Sequence, residues 1–244
     1  SLGRMFRSLP CSSLSQAEVI VVNNDQDERA TLARMFAGEV RVRLREMNGN
    51  IGFARACNRG ALEASGDILV FLNPDISFQD GSILTWLNTL SQDGVHIIAP
   101  TLLQNGKIEP WSSGGIIHPV RILLQNIFPF AGLWQQGSSG ECGFVSGAAL
   151  AIRKCDFVAL GGFDEQFFLY YEDADLCLRA RALGMHIQKN TAAVFTHRGG
   201  LSHSDKESQK KHYFASQEYY LMKHYGLVWA YLFRVLRKVY FCFR

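Results

Sequence analysis

The 244-residue sequence predicts an α/β fold with a mostly parallel central sheet flanked by helices. Three observations carry that expectation. Short apolar runs such as Val19-Ile20-Val21-Val22 and Ile68-Leu69-Val70-Phe71-Leu72 read as buried strands. Segments with helical spacing lie between them, giving a strand–helix–strand rhythm. The chain is long enough for one large domain, and its 48% apolar and 19% charged residues exclude wholesale disorder.

In order, the strand at Val19 is followed by a helical pattern from Ala30 to Phe36. Val40-Arg41-Val42-Arg43-Leu44 alternates, which predicts a strand with one wet face. Ile51 to Ala64 carries small residues suited to close packing and predicts a helix with Asn50 as its N-cap. The rhythm breaks from Gln104 to Cys142, an irregular region with one helix-like apolar stretch, Val120 to Phe130. Long irregular segments on a rigid scaffold usually carry function or move. Strand character returns from Gly143 to Ile152, and Ala193 to Thr196 gives a last short strand ending at His197. Beyond Ser204 the pattern is helical to the end.

A net charge of +3 gives no reason to expect a nucleic-acid partner, although the positive excess gathers at the C-terminus. Six widely spaced cysteines (Cys11, Cys57, Cys142, Cys155, Cys177 and Cys242) form no Cys-x-x-Cys pair. That usage predicts a reducing compartment and no zinc site. Ser1 to Pro10 lacks the apolar core of a secretory signal, so a cytoplasmic location is expected. The chain opens on Ser rather than Met, which points to a processed or engineered start.

Chemistry concentrates in four places. Gly161 to Arg179 delivers a run of aromatics into Glu172, Asp173 and Asp175, which open a helix that Gly184 stops. Carboxylates there face unpaired N–H groups and the helix dipole, which suits either plain helix capping or a general base. The strand Ile68–Leu72 ends in Asn73-Pro74-Asp75, either a simple turn or a cation-binding carboxylate at a strand's carboxyl end. His197 closes another strand and can complete a metal shell begun by Asp75. Asn48 to Gly60 combines glycines with a helix N-terminus that can receive an anion, without a GxGxxG fingerprint.

Taken together and in order, these segments resemble the inverting glycosyltransferases of family 2, of GT-A fold, in their rhamnosyltransferase-like branch. The matching residues are Val21 to Asn24, Asn50 to Ala54 with Asn58 and Gly60, and Phe71 to Asp75. Further on they are Ser146-Gly147-Ala148, Gly162 to Glu165, Phe168 to Arg179, and His197 followed by Ser202. The resemblance implies a GT-A domain over residues 1–204 and a helical, amphipathic tail over 205–244. It implies nucleotide or sugar contacts from Asn23, Asn24, Asn50, Gly52, Phe53, Asn58, Asn73, Gly147 and Glu172. It further implies Asp75 and His197 as ligands of Mg²⁺ or Mn²⁺, and Asp173 as the base that activates an acceptor hydroxyl. The donor would be a dTDP- or UDP-linked sugar, rhamnose by the flavour of the branch, and the acceptor a glycan or lipid-linked glycan in polysaccharide assembly.

Two positions depart from the family pattern: Asn73 and Asn23 stand where acidic residues are common. The family's usual first strand has no counterpart before Val19, and Leu2 to Leu14 can represent only the helix that follows it. A catalytically impaired sugar-nucleotide-binding or assembly protein is therefore the rival expectation. A sugar nucleotidyltransferase would need a basic, Gly-rich phosphate loop, and none is visible. The tail from Gly226 to Arg244 sets Trp229, Tyr231, Phe233, Tyr240, Phe241 and Phe243 among Arg234, Arg237 and Lys238. Those charges argue against a spanning helix. Two readings stay open: a helix lying on the anionic inner face of the plasma membrane, or one packed on its own domain or across a homodimer.

Overall fold

The computed structural model describes residues 2–9, 17–78, 82–92, 94–127, 140–199 and 206–242. Leu14, Ser202 and Phe243, the end of the Val120–Phe130 stretch, and the side chains of Tyr240 and Phe241 lie outside the described part. The chain runs α1 (Leu2–Ser8), β1 (Val19–Asn23), α2 (Arg29–Met35), β2 (Val42–Glu46), α3 (Phe53–Glu63), β3 (Ile68–Leu72), β4 (Ile76–Phe78) and α4 (Ser82–Asn88). It continues through β5 (Val95–Gln104), β6 (Lys107–Ile108), β7 (Ser113–Gly114), α5 (Pro119–Ile127), β8 (Gly140–Glu141) and β9 (Phe144–Val145). The last elements are β10 (Ala149–Arg153), α6 (Lys154–Ala159), α7 (Glu172–Ala182), β11 (His186–His197), α8 (Lys206–Tyr225) and α9 (Leu227–Cys242).

The main sheet has the order β3-β10-β5-β11-β4, with β6 beside β5 and β8 beside β11. Strands β3, β5 and β11 share one direction, while β10 and the edge strand β4 run against them. Three of the five strands on that path run the same way, as the α/β class predicted from the sequence requires, but among the described residues only β5 and β11 are paired in parallel within it. One face packs Phe71, Ile97, Leu150, Ile152, Phe163 and Leu176, together with Leu221 of α8 and Phe233 of α9. The other packs Ile76, Trp86, Ile98, Leu102 and Phe195 with Met5 and Leu9 near α1. Strands buried on both faces explain why they read as continuous apolar runs. The parallel pair β1–β2 forms a separate two-stranded sheet. Among the described residues no strand bridges β1 to β3.

Three local expectations shift. The helix expected from Ile51 starts at Phe53, because Gly52 takes φ +87° and acts as the N-cap position. Asn50 instead accepts the Gly52 N–H on its side-chain oxygen at 3.0 Å, an Asx-type turn just before the helix. The strand expected from Gly143 to Ile152 divides into β9 and β10. Gly147 lies between them and gives its N–H to a side chain rather than to the sheet. The short strand before His197 is the end of the twelve-residue β11. Strand β5 lacks a continuous apolar run in the sequence because Pro100 interrupts it. Pro100 pairs with Asn190, where β11 shifts register before Val194, so the missing N–H falls at an irregularity.

Candidate active site

Strand register builds the first half of the site. β4 pairs with β11 so that His197 stands opposite Ile76, next to Asp75 in the turn after β3. His197 Nε2 approaches Asp75 Oδ1 at 3.3 Å, and its Nδ1 lies 2.8 Å from Glu109 Oε2. Asp75 is only 4% exposed, and its Oδ1 meets the charged His197 imidazole without a well-aligned hydrogen bond. Burial disfavours a charged His197, and the flanking Asp75 and Glu109 outweigh it, pushing the pKa up to about 9. Burial likewise opposes ionisation of Asp75, yet His197 holds its pKa below the ordinary value.

These residues suit a divalent cation. Asp75 offers a buried oxygen facing the His197 imidazole without a well-aligned hydrogen bond, and Glu109 can orient that imidazole from behind, as carboxylates do for ligating histidines. A cation would compete with the proton on His197. Among the described residues no cluster of three or more His, Cys, Asp or Glu side chains is arranged to hold a metal ion. Asp75 and His197 would therefore need oxygens from the bound substrate. Glu109 carried no sequence signal: only the return of β6 along β5 brings it here.

The second half lies across a cleft of about 1950 Å³, lined by Asn23, Asn24, Asn50, Gly52, Phe53, Asn73, Asp75, Glu109, Phe168, Tyr170 and His197 among others. Asn24 Nδ2 donates to the Gly52 carbonyl at 3.0 Å, tying the end of β1 to the start of α3. Asn23 Nδ2 donates to Glu46 at 2.8 Å. The Phe53 N–H donates to the Phe168 carbonyl at 2.8 Å. A Cβ on Gly52 would come within 2.6 Å of that carbonyl oxygen, so the contact and the positive φ both require glycine. Asn58 is not part of the cleft lining. Its amide clamps Phe163 in both directions, at 2.9 and 3.0 Å, and reaches Glu165 at 3.1 Å.

Helix α7 supplies the third group. Asp173 accepts the Gly147 N–H at 2.9 Å and the Ala174 N–H at 2.7 Å. A Cβ on Gly147 would sit 3.3 Å from the Phe53 ring and 3.5 Å from Asp173 Cβ, so glycine lets cleft wall and carboxylate converge. Desolvation raises the Asp173 pKa against the pull of those N–H groups. Glu172 is 4% exposed with Oε2 unpartnered among the described residues, and burial followed by the Asp173 charge pushes its pKa well up. Neither Asp173 nor Glu172 lines the cleft itself. Just before them Tyr170 and Tyr171 both take positive φ, 70° and 68°. Left-handed non-glycine residues cost about 1–3 kcal/mol each and cluster where structure serves function.

The architecture is that of the GT-A glycosyltransferases. A crystal structure of GalNAc-T7 with UDP, GalNAc and Mn²⁺ shares it at a TM-score of 0.63 and 13% identity, over 89% of this chain and 46% of that one. The chain belongs to glycosyl transferase family 2, whose sequence model matches residues 1–156, and it is a glycosyltransferase. Among curated relatives, the N-acetylglucosaminyl-diphospho-decaprenol L-rhamnosyltransferase of Mycobacterium tuberculosis is 26% identical over 85% of this chain and 75% of its own length. The rhamnosyltransferase WbbL of Escherichia coli K12 is 25% identical over 59% of this chain and 56% of its own.

Proposed function

We propose that this protein transfers a sugar, with inversion, from a nucleoside-diphosphate donor to a glycan or lipid-linked acceptor in cell-envelope polysaccharide assembly. Rhamnose carried on dTDP is the favoured donor, with UDP sugars as the other candidates. The carrying observation is a cleft lined by Phe53, Asp75 and His197, with Asp173 set just behind its Phe53 wall at Gly147. Two rhamnosyltransferases among the relatives support the sugar, and the diphospho-decaprenol in the name of one supports the lipid-linked acceptor. In this reading residues 1–204 carry the transfer chemistry and 205–244 form a helical extension.

Asn23, Asn24, Asn50, Gly52, Phe53 and Asn73 hold the donor. Asp173 takes the proton of an acceptor hydroxyl while that oxygen bonds to the anomeric carbon from the face opposite the diphosphate. The bond from that carbon to the diphosphate oxygen breaks, and its electron pair leaves with the nucleoside diphosphate. A divalent cation held by Asp75 and His197 would supply positive charge for that leaving group. Glu172 supports the acceptor side of the base.

Asp173→Asn tests the reading: turnover of the donor should collapse while nucleotide binding, seen as a rise in Tm with UDP or dTDP, persists. Unchanged turnover sinks the base assignment. Loss of the Mn²⁺-dependent part of that rise in Asp75→Ala and His197→Ala tests the cation site. A second reading, a binding protein of low turnover, is favoured by the unbridged space between β1 and β3.

We also propose that α9 lies on an anionic membrane surface. Its outward stripe of Leu227, Val228, Tyr231, Leu232, Val235 and Leu236 is exposed, beside Arg234, Arg237 and Lys238. Among the described residues no helix is long and apolar enough to cross a membrane. Co-flotation with phosphatidylglycerol vesicles should occur and should weaken in Val228→Glu/Leu232→Glu. A concentration-dependent dimer without flotation would favour a second copy instead.

A further inference from the structure

The turn that delivers Asp173 is held from outside by one helix. Two adjacent tyrosines with positive φ persist only if their surroundings over-determine them. Those surroundings come from α8. Ser216 Oγ donates to the Leu169 carbonyl at 2.8 Å, and Gln217 Nε2 donates to the Tyr171 hydroxyl at 2.9 Å. The Tyr213 hydroxyl lies 3.2 Å from that same hydroxyl, and His212 stacks on Phe168 at 4.3 Å between ring centroids. Ser216 and Gln217 are 5% and 8% exposed. Burying such groups is unfavourable unless they are hydrogen-bonded, and both donate to this turn. Helix α8 also lies beyond the residues matched by the family model, so the match assigns it no role.

We infer that α8 is the positioning element of the active site: Tyr213, Ser216 and Gln217 lock the Leu169–Tyr171 turn in the left-handed form from which α7 presents Asp173 to the Gly147 N–H. The inference rests on Asp173 being the base. The Tyr171 carbonyl accepts the Asp175 N–H at 2.9 Å, so the conformation of the turn sets where α7 begins. The same segment carries the Phe168 carbonyl that receives the Phe53 N–H, so one clamp sets base and donor cradle together. Ser216 and Gln217 are positioning residues, acting on the base through the backbone of the turn.

The test compares Ser216→Ala, Gln217→Leu and the milder Tyr213→Phe with wild type and with Asp173→Asn, all in the full chain. Small misplacement of a reacting group is costly, so kcat should fall by about tenfold to a hundredfold, and donor KM should rise by less, through the Phe168–Phe53 contact that the clamp also sets. Amide exchange, which needs no turnover, should accelerate at Gly147 and Ala174 while β5 and β10 keep their protection. Unchanged exchange at those two amides overturns the inference, as does a loss of activity that merely follows the folded fraction. If Asp173→Asn turns over like wild type, the base assignment fails, whatever the α8 variants do.

Discussion

Glu172 and Asp173 are sequence neighbours in different surroundings, and their difference is testable. Asp173 keeps partial exposure and two backbone donors, whereas Glu172 is sealed with an unpartnered oxygen. A carboxyl whose pKa is raised by folding binds its proton more tightly in the native state, so it weakens the fold as pH rises above its unfolded value of about 4.3. Wild type should therefore lose stability between mildly acidic and neutral pH, and Glu172→Gln should flatten that decline. Melting curves at several pH values check this, at about 2–4 °C for each kcal/mol. As the proposed base, Asp173 must be ionised to act, and its raised pKa should place the acid limb of kcat/KM above the ordinary aspartate value of about 3.9. A pH–rate profile measures it. Asp75, Asp173 and His197 stood out in the sequence because each sits at the end of an element with a distinct pattern. Glu109 did not, because its role depends on a strand pairing that no local pattern encodes. Asn58 was visible in the motif, but its direction was not: it faces the Phe163 loop.

At the scale of elements, α7 and α8 are joined by charge. Asp175 is fully buried and meets Arg179 at 2.8 Å, Lys223 at 2.6 Å and His224 at 2.7 Å. Burial opposes its charge, but His224, Lys223 and Arg179 together hold its pKa down to about 2. A lowered carboxylate pKa contributes stability above its unfolded value and loses it as pH falls toward the folded one. Here the window runs from about 4 down to about 2. Removing one partner of a buried ionic cluster leaves the others uncompensated, so Asp175→Asn should cost about 3 kcal/mol at neutral pH and remove the decline in that acid window. Urea unfolding at pH 7 and pH 3 tests both effects. The sequence made α7 legible through its acidic opening and Gly184. It hid β5 because Pro100 breaks the apolar run, and it hid the α7–α8 cluster because the partners lie about fifty positions apart.

For the whole molecule, stability is uneven. The main sheet is covered on both faces by apolar clusters, whereas β1 is only half-buried along Val19–Val22 and β2 alternates between half-buried and exposed. Local opening free energies follow such differences. Amides of β2 and α2 should exchange well before those of β5 and β10, and a nucleotide that binds should narrow the gap. The α/β class was readable because the strands are apolar on both faces. The separation of β1–β2 from the main sheet was not, since hydrogen bonding between distant strands leaves no periodic mark.

That division gives the cleft an unusual ownership. Asn23 and Asn24 stand on the small sheet, whereas Asp75 and His197 stand on the large one, and no strand among the described residues ties the two together. A donor reaching from one wall to the other would act as the missing rivet. Part of its binding free energy would go into fixing one wall relative to the other, so measured affinity would understate the strength of the contacts themselves. A disulfide across the walls should then tighten nucleotide binding without adding any contact to the ligand.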